Sequence, residues 1–155
     1  MKIKKISPLE HKYLQILEHI EKTPKHVDVA GTLPEARVPS VAIVGTRKPT
    51  RYGHEVTERI ARELAAKGVV IVSGLALGVD SVAHRAALEV GGTTIAVLGN
   101  GLPSIYPKTH KHLAEEIVEK GGAIISEYKP DEPARSHYFL ERNRIVSGLS
   151  DAIII

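Results

Sequence analysis

The stretch VVIVSGLALGVDSVAHRAALEVGG, residues 69–92, decides how the rest of the chain is read. Its first four residues are apolar and β-branched, too few for a helix and without polar alternation, which predicts a strand covered on both faces. Ser73 and Gly74 then break the run. From Val79 onward the period changes: Val82, Ala83, Ala86, Ala87 and Val90 share one helical face, and Gly91 and Gly92 supply a C-terminal stop. The stretch is thus a strand, a tight turn and an amphipathic helix in succession.

The same grammar recurs on either side. Short apolar runs stand at 41–44, 94–98, 123–125 and 152–155, and helical patterns fill 54–67 and 109–120, closing at Gly68 and Gly121. Strands alternating with helices at this spacing require right-handed crossovers. The predicted fold class is α/β, a Rossmann-like, doubly wound, mainly parallel sheet with helices on both faces. Residues 1–40 read differently. Leu9, Tyr13, Ile16, Leu17 and Ile20 predict a helix over 8–22, and Pro24, Gly31, Pro34 and Pro39 predict a connector with a short extended piece at 26–29. The chain therefore divides into an N-terminal helix and connector, 1–40, and a Rossmann-like domain, 41–155. It stops at DAIII, where a further helix is expected, so the domain reads as C-terminally incomplete.

At 155 residues, 43% hydrophobic and 25% charged, the chain has the composition of one ordinary folded domain. With one Phe, five Tyr and no Trp, the core must be filled by Val, Ile, Leu and Ala. The absence of cysteine excludes disulfides, thiolate catalysis and cysteine-bound zinc. The basic N-terminus leads into no continuous apolar run, so a soluble cytoplasmic protein with no membrane partner is expected. A net charge of +3 suits a polyanionic partner if its sources converge. Arg47, Lys48 and Arg51 fall in one loop, Lys108 and Lys111 in another, and Arg135, Arg142 and Arg144 near the end.

In sheets of this class ligands bind beyond the carboxyl ends of the strands. Those ends read Gly45-Thr46-Arg47, Ser73-Gly74, Gly99-Asn100-Gly101 and Ser126-Glu127. Glycine there admits a ligand to the backbone, and the following helix offers free amides to phosphate; the alternative is that glycine simply makes a tight strand-to-helix turn. No P-loop occurs, and no G-x-G-x-x-G with a later acid, which disfavours NAD and ATP chemistry; no cofactor is expected. Arg47 can fork onto phosphate or stack on a base, or pair with a carboxylate such as Glu55. Ser73, His84 and Asp80 can be written as a triad, but no nucleophile elbow is present, and Asp80 reads better as a capping acid with His84 as its hydrogen-bonded neighbour. His110 and His112 stand two apart, without H-E-x-x-H, so no metal site is expected. In ARSHYFLERNRIVSGLS, residues 134–150, Tyr138 and Phe139 sit among three arginines, a pattern that suits single-stranded nucleic acid. The alternative is a core Phe139 and a solvated arginine face.

Together these segments resemble the Rossmann-like domain of the DNA-processing protein A family, also called Smf. The resemblance rests on VAIVGTR, IVSGLALGVDSVAHRAAL, TIAVLGNGL with IYP, GGAIISEY and FLERNRIVSGLS, in that order from Val41 onward. It implies a non-catalytic, DNA-binding protein of natural transformation, or competence, that binds and protects single-stranded DNA and loads RecA for DNA recombination, and that forms a homodimer. By resemblance Gly45, Thr46 and Arg47 belong to the DNA pocket, and Ser73, Gly74, Gly99 and Gly101 line the same crevice. Phe139 would stack on a base, while Arg142, Asn143 and Arg144 hold that loop and its DNA. Arg135 would replace a basic residue that the family often carries where Ser136 stands here, and Leu140 occupies the position of a frequent proline. The rival reading is a nucleotide-binding or nucleoside-monophosphate phosphoribohydrolase-like enzyme of a related fold, whose P-G-G-x-G-T-x-x-E segment is absent.

Overall fold

The computed structural model describes residues 1–155. The elements run β1 (Ile3–Ile6), β2 (Val27–Gly31), β3 (Ser40–Ile43), α1 (Arg51–Ala66), β4 (Val70–Ser73), α2 (Val79–Glu89), β5 (Thr94–Val97), α3 (Lys111–Glu119), β6 (Ala123–Ser126), α4 (Ser136–Gly148) and β7 (Ala152–Ile154). All seven strands join one sheet in the order β1-β2-β6-β5-β4-β3-β7. From β6 to β7 every pair is parallel, whereas β2 runs antiparallel to β6 and β1 antiparallel to β2. The expected α/β architecture is present.

Alternation along each strand assigns the two faces. Val70, Val72, Ile95, Val97 and Ile125 pack with Ile145, Val146 and Leu149 around α4, while their neighbours Ile71, Ala96 and Ile124 point the other way, towards α1, α2 and α3. The chain winds from β3 to β6 on one face and returns through α4 on the other to place β7 beside β3. The order of strands therefore reverses at β3, and its carboxyl end is the switch point where such sheets bind ligands.

Residues 1–40 correct the expectation. No α-helix forms over 8–22; two 3-10 turns, Pro8–Glu10 and Gln15–His19, stand in its place, with the N–H of Leu17 bonded to the Leu14 carbonyl. Tyr13, Leu14 and Leu17 are buried against the α4 side of the core, so these turns serve as a lid on the sheet rather than as a free helix. Ile3–Ile6 is a strand that the reading missed, because its two lysines made it look like a charged tail. The extended piece expected at 26–29 is β2, and it is fully integrated in the sheet.

His84 is also placed differently from the expectation. Asp80 turns away to Gly74, and the wholly buried His84 ring bonds through Nδ1 to Thr94 Oγ1 at 2.6 Å. The single hydroxyl proton of Thr94 goes to the Ile71 carbonyl at 2.7 Å, so Nδ1 must be the donor. Nε2 is then a bare lone pair with no partner, and a charged ring would leave a buried N–H unpaired. Burial above all, then the charges of His110, Arg142 and Arg85, push its pKa down to about 3.

The unfolded chain takes up this proton below about pH 6.5 whereas the folded one does not, so stability is lost as pH falls from there towards the folded value, by at most about 1.4 kcal/mol per pH unit. The unfolding free energy of the parent minus that of His84→Met should accordingly shrink between about pH 6.5 and about pH 4 in urea titrations. A difference that stays constant over that range would contradict this account.

Candidate nucleic-acid interface at the carboxyl edge of the sheet

The loop after β3 is pinned from below. The N–H of Val79 donates to the Thr46 carbonyl at 3.1 Å, and Gly78 adopts φ 79° with its Cα so close that a Cβ would lie 2.3 Å from that oxygen. Only glycine fits there. Gly45 rests on the Val79 side chain, and Ser73 donates its hydroxyl proton to the Ile43 carbonyl at 2.6 Å, locking β4 to β3 at their ends. With these contacts made, Arg47 projects outward from a fixed backbone and is exposed.

Beneath the loop lies a buried charge pair bridged by Gly74. Asp80, from α2, accepts the Gly74 N–H at 3.0 Å; Arg142, from α4, donates to the Gly74 carbonyl at 2.9 Å and to the Val97 carbonyl. Both side chains are about 5% exposed or less. Burial pushes the Asp80 carboxyl up, opposed by the Arg142 charge and by the amides of Gly74 and Ala76. Burial likewise pushes the Arg142 guanidinium down, opposed by Asp80. A Cβ on Gly74 would stand 2.4 Å from Arg142 Nη1, so the glycine is what lets the guanidinium lie flat on the strand end.

Phe139 sits on this floor. Its ring packs on Gly99, where a Cβ would be 2.8 Å from Cδ1, and it is half-buried rather than a core residue. The Arg142 guanidinium carbon lies 6.0 Å from the ring centroid, that of Arg47 5.7 Å, and the Tyr106 ring 5.4 Å, tilted by 36°. Arg47, Gly74, Leu77, Tyr106, Phe139 and Arg142 thus share one small cleft, with Tyr106 and Leu77 about half exposed at its rim. Tyr106 received no role from the sequence, although its place in IYP, next to the proline that also lines the cleft, was the available signal. Glu55 does not take Arg47: it pairs with Arg51 at 2.8 Å.

Other residues expected at the site lie elsewhere. Gly101 is buried under the 129–132 turn, where a Cβ would be 1.7 Å from the Lys129 carbonyl oxygen. Arg144 forks onto Glu127 at 2.5 and 2.6 Å and donates to the Lys22 carbonyl at 2.8 Å, which ties α4 to the end of β6. Asn143 accepts from Arg142 Nε at 3.1 Å and borders a groove on the β7 side. Arg135 covers Tyr138, whose ring stacks on Tyr128 with centroids 4.1 Å apart. Gly45 and Thr46 are exposed and line a separate groove with Tyr52 and Ile155, on the side of α1 and β7, and Ser73 is wholly buried. The basic loops converge in part only: Arg51, Lys111, Arg142 and Arg144 are each offset by a carboxylate, which leaves Arg47, Lys48, Lys108 and Arg135 without an ion pair, and of these four Arg47 lines the cleft.

The family described as DNA recombination-mediator protein A matches residues 4–155. Protein Smf of Escherichia coli is 48% identical over 115 residues, 74% of this chain and 31% of that protein. DNA processing protein DprA of Streptococcus pneumoniae is 38% identical over 154 residues, 99% of this chain and 54% of its own length. The X-ray structure of the pneumococcal protein superposes with a TM-score of 0.87 at 38% identity, covering 99% of this chain and 53% of that one. A Helicobacter pylori structure, described as giving insight into the single-stranded DNA binding mode of DNA processing protein A, superposes with a TM-score of 0.85 at 38% identity, over all of this chain and 69% of that one. The chain spans about a third to a half of the length of these curated relatives.

Removing one member of the buried pair strands the other. Arg142→Leu should lower unfolding stability by about 3–5 kcal/mol, and Arg142→Leu with Asp80→Leu should recover a large part of that loss in a double-mutant cycle by chemical denaturation. Additive losses would show that the two charges do not act as a pair.

Proposed function

The chain belongs to the DNA recombination-mediator protein A family, and from that membership we propose that it binds single-stranded DNA at the carboxyl edge of its sheet without altering it covalently. The observation that carries this reading is Phe139, an accessible ring held on a rigid floor beside an arginine with no carboxylate partner. A base stacks on the ring and against Tyr106, and Arg47 grips the adjoining phosphate. The exposed amides around Gly45 and Thr46 add backbone contacts, whereas Gly74, Gly99, Ser73 and Arg142 form the floor. Because the cleft presents ring faces and cations rather than groups matched to base edges, sequence preference is weak.

Binding without catalysis agrees with the commitments of the polar side chains. The Ser73 hydroxyl is bonded to a main-chain carbonyl, His84 is sealed in the core, and Asp80 serves Gly74 and Arg142, so the three form no triad. In the cell, we place the protein in the cytoplasm during DNA uptake and natural transformation, where it protects incoming strands and passes them as a homodimer to RecA. No helix is long and apolar enough to cross a membrane.

Fluorescence anisotropy with a labelled oligothymidylate tests the reading. Arg47→Ala and Phe139→Ala should each weaken binding by about 5- to 100-fold, the equivalent of one lost stacking or phosphate contact. Affinity of the parent should fall linearly on a log-log plot against salt, with about 0.7 of slope per phosphate neutralised. Arg47→Ala should flatten that line, whereas Phe139→Ala should shift it without changing its slope. A folded parent that does not bind, or variants that bind as the parent does, would overturn the reading.

A further inference from the structure

The antiparallel strands at the far side of the sheet bring a second group of cations to the same edge. In the register, Asp28 stands opposite Ser126 and Val27 opposite Ile6, so the start of β2 and the end of β1 lie beside the carboxyl end of β6. There a cavity of about 220 Å³ opens among Lys5, Lys25, His26, Asp28, Glu127 and Lys129. Of its two carboxylates, one is taken up by a cation. Glu127 is held by both Arg144 nitrogens, and Asp28, 5% exposed, stands directly across from Lys5 in the strand register. Lys25 and Lys129 are exposed, and neither takes part in an ion pair. The local excess of charge is positive and free to meet an anion.

Two aromatic side chains stand between this cavity and the cleft. Tyr128 forms one wall, its ring stacks on Tyr138, its hydroxyl donates to the Tyr138 carbonyl at 3.1 Å, and Arg135 covers the Tyr138 ring. Tyr138 precedes Phe139 in α4. An arginine-flanked aromatic step therefore lies between the two places. From the ends of β4 and β5 to those of β6 and β2 is on average two strand spacings, or about 10 Å at about 4.8 Å each, a span of a few nucleotides.

We propose that the cavity between β6 and β2 is a second phosphate-binding station, at which Lys25 and Lys129 hold the phosphodiester backbone of a single strand that has passed from the cleft over Tyr138. The inference rests on the single-stranded DNA reading above and extends it to a path. Ammonium groups on flexible stems act there as point charges, so the station adds affinity for length and carries no base preference. Lys5 stands opposite the one carboxylate of the cavity that Arg144 does not hold, so Lys25 and Lys129 are the groups assigned to the strand.

The test compares a thymidine dinucleotide, whose single internal phosphate cannot serve both places, with an oligothymidylate of about 12 nucleotides, within the range over which single-strand modules are occupied. Parent, Lys25→Glu, Lys129→Glu, Arg47→Ala and a control reversal, Lys67→Glu at the C-terminal end of α1, are titrated by anisotropy across a salt series. Each of the two station variants should bind the short oligomer within about twofold of the control, lose about fivefold or more on the long one, and show a salt slope smaller by about 1 for the long oligomer only. Arg47→Ala should weaken both lengths. Station variants that match the control on both lengths, or weaken both lengths equally, would overturn the proposal and leave the cleft standing. A folded parent that binds neither oligomer would overturn the premise and the proposal with it.

Discussion

The arrangement on which the site depends is the contact of Asp80 and Arg142 with opposite sides of one glycine. Asp80 comes from the helical layer on one face of the sheet and Arg142 from the helix on the other, and they meet at Gly74, where β4 ends. Two buried charges are a poor source of stability, since desolvation consumes most of their attraction. What they supply is position. The guanidinium is fixed by two main-chain carbonyls in the field of the Asp80 charge, and it packs beside the ring of Phe139 one helical turn earlier. In the proposed site Arg142 therefore positions the aromatic ring, while Arg47 makes no ion pair.

The central sheet was legible because its strands are buried on both faces and each of the first three helices closes on a glycine. Those two signals do not depend on anything distant in the chain. The elements that escaped lack them. Ile3–Ile6 is an edge strand with two exposed lysines, so its apolar content is halved. The segment 8–22 carries a helical spacing, yet Tyr13, Leu14 and Leu17 are pulled onto the sheet and the backbone tightens into 3-10 turns. In α4 the usual polarity is inverted, with Arg142 buried and Leu140 75% exposed, so periodicity could not reveal its inner face.

The site was legible as a location more than as a set of contacts. Reading the strand ends placed Arg47, Gly74 and Gly99 near one another, the family resemblance added Phe139, and the structure brings these four together. Three arginines within ten residues looked alike in the sequence, and the partners that distinguish them, Asp80 for Arg142, Glu127 for Arg144 and Tyr138 for Arg135, are supplied by the fold. The strand-end glycines divide in the same way: Gly74 and Gly99 lie under side chains of the cleft, whereas Gly101 is covered by main chain.

The rigidity of this floor bears on what the cleft selects. A stacking contact rewards only a base whose face is free, and duplex bases are already stacked on one another, so a half-buried ring favours single strands without reading sequence. That preference weakens if the ring must first be ordered, because immobilising a side chain costs about 0.5–1.5 kcal/mol, comparable to a weak stacking contact. Phe139 is already seated on Gly99 and flanked by Arg142 and Tyr106, so this cost falls on folding and not on binding. Arg47 is the opposite case: exposed and unpaired, it can follow a flexible phosphate backbone. A seated ring beside an exposed, unpaired cation therefore suits the proposed ligand, whose bases are uniform as π-faces and whose backbone is variable in path.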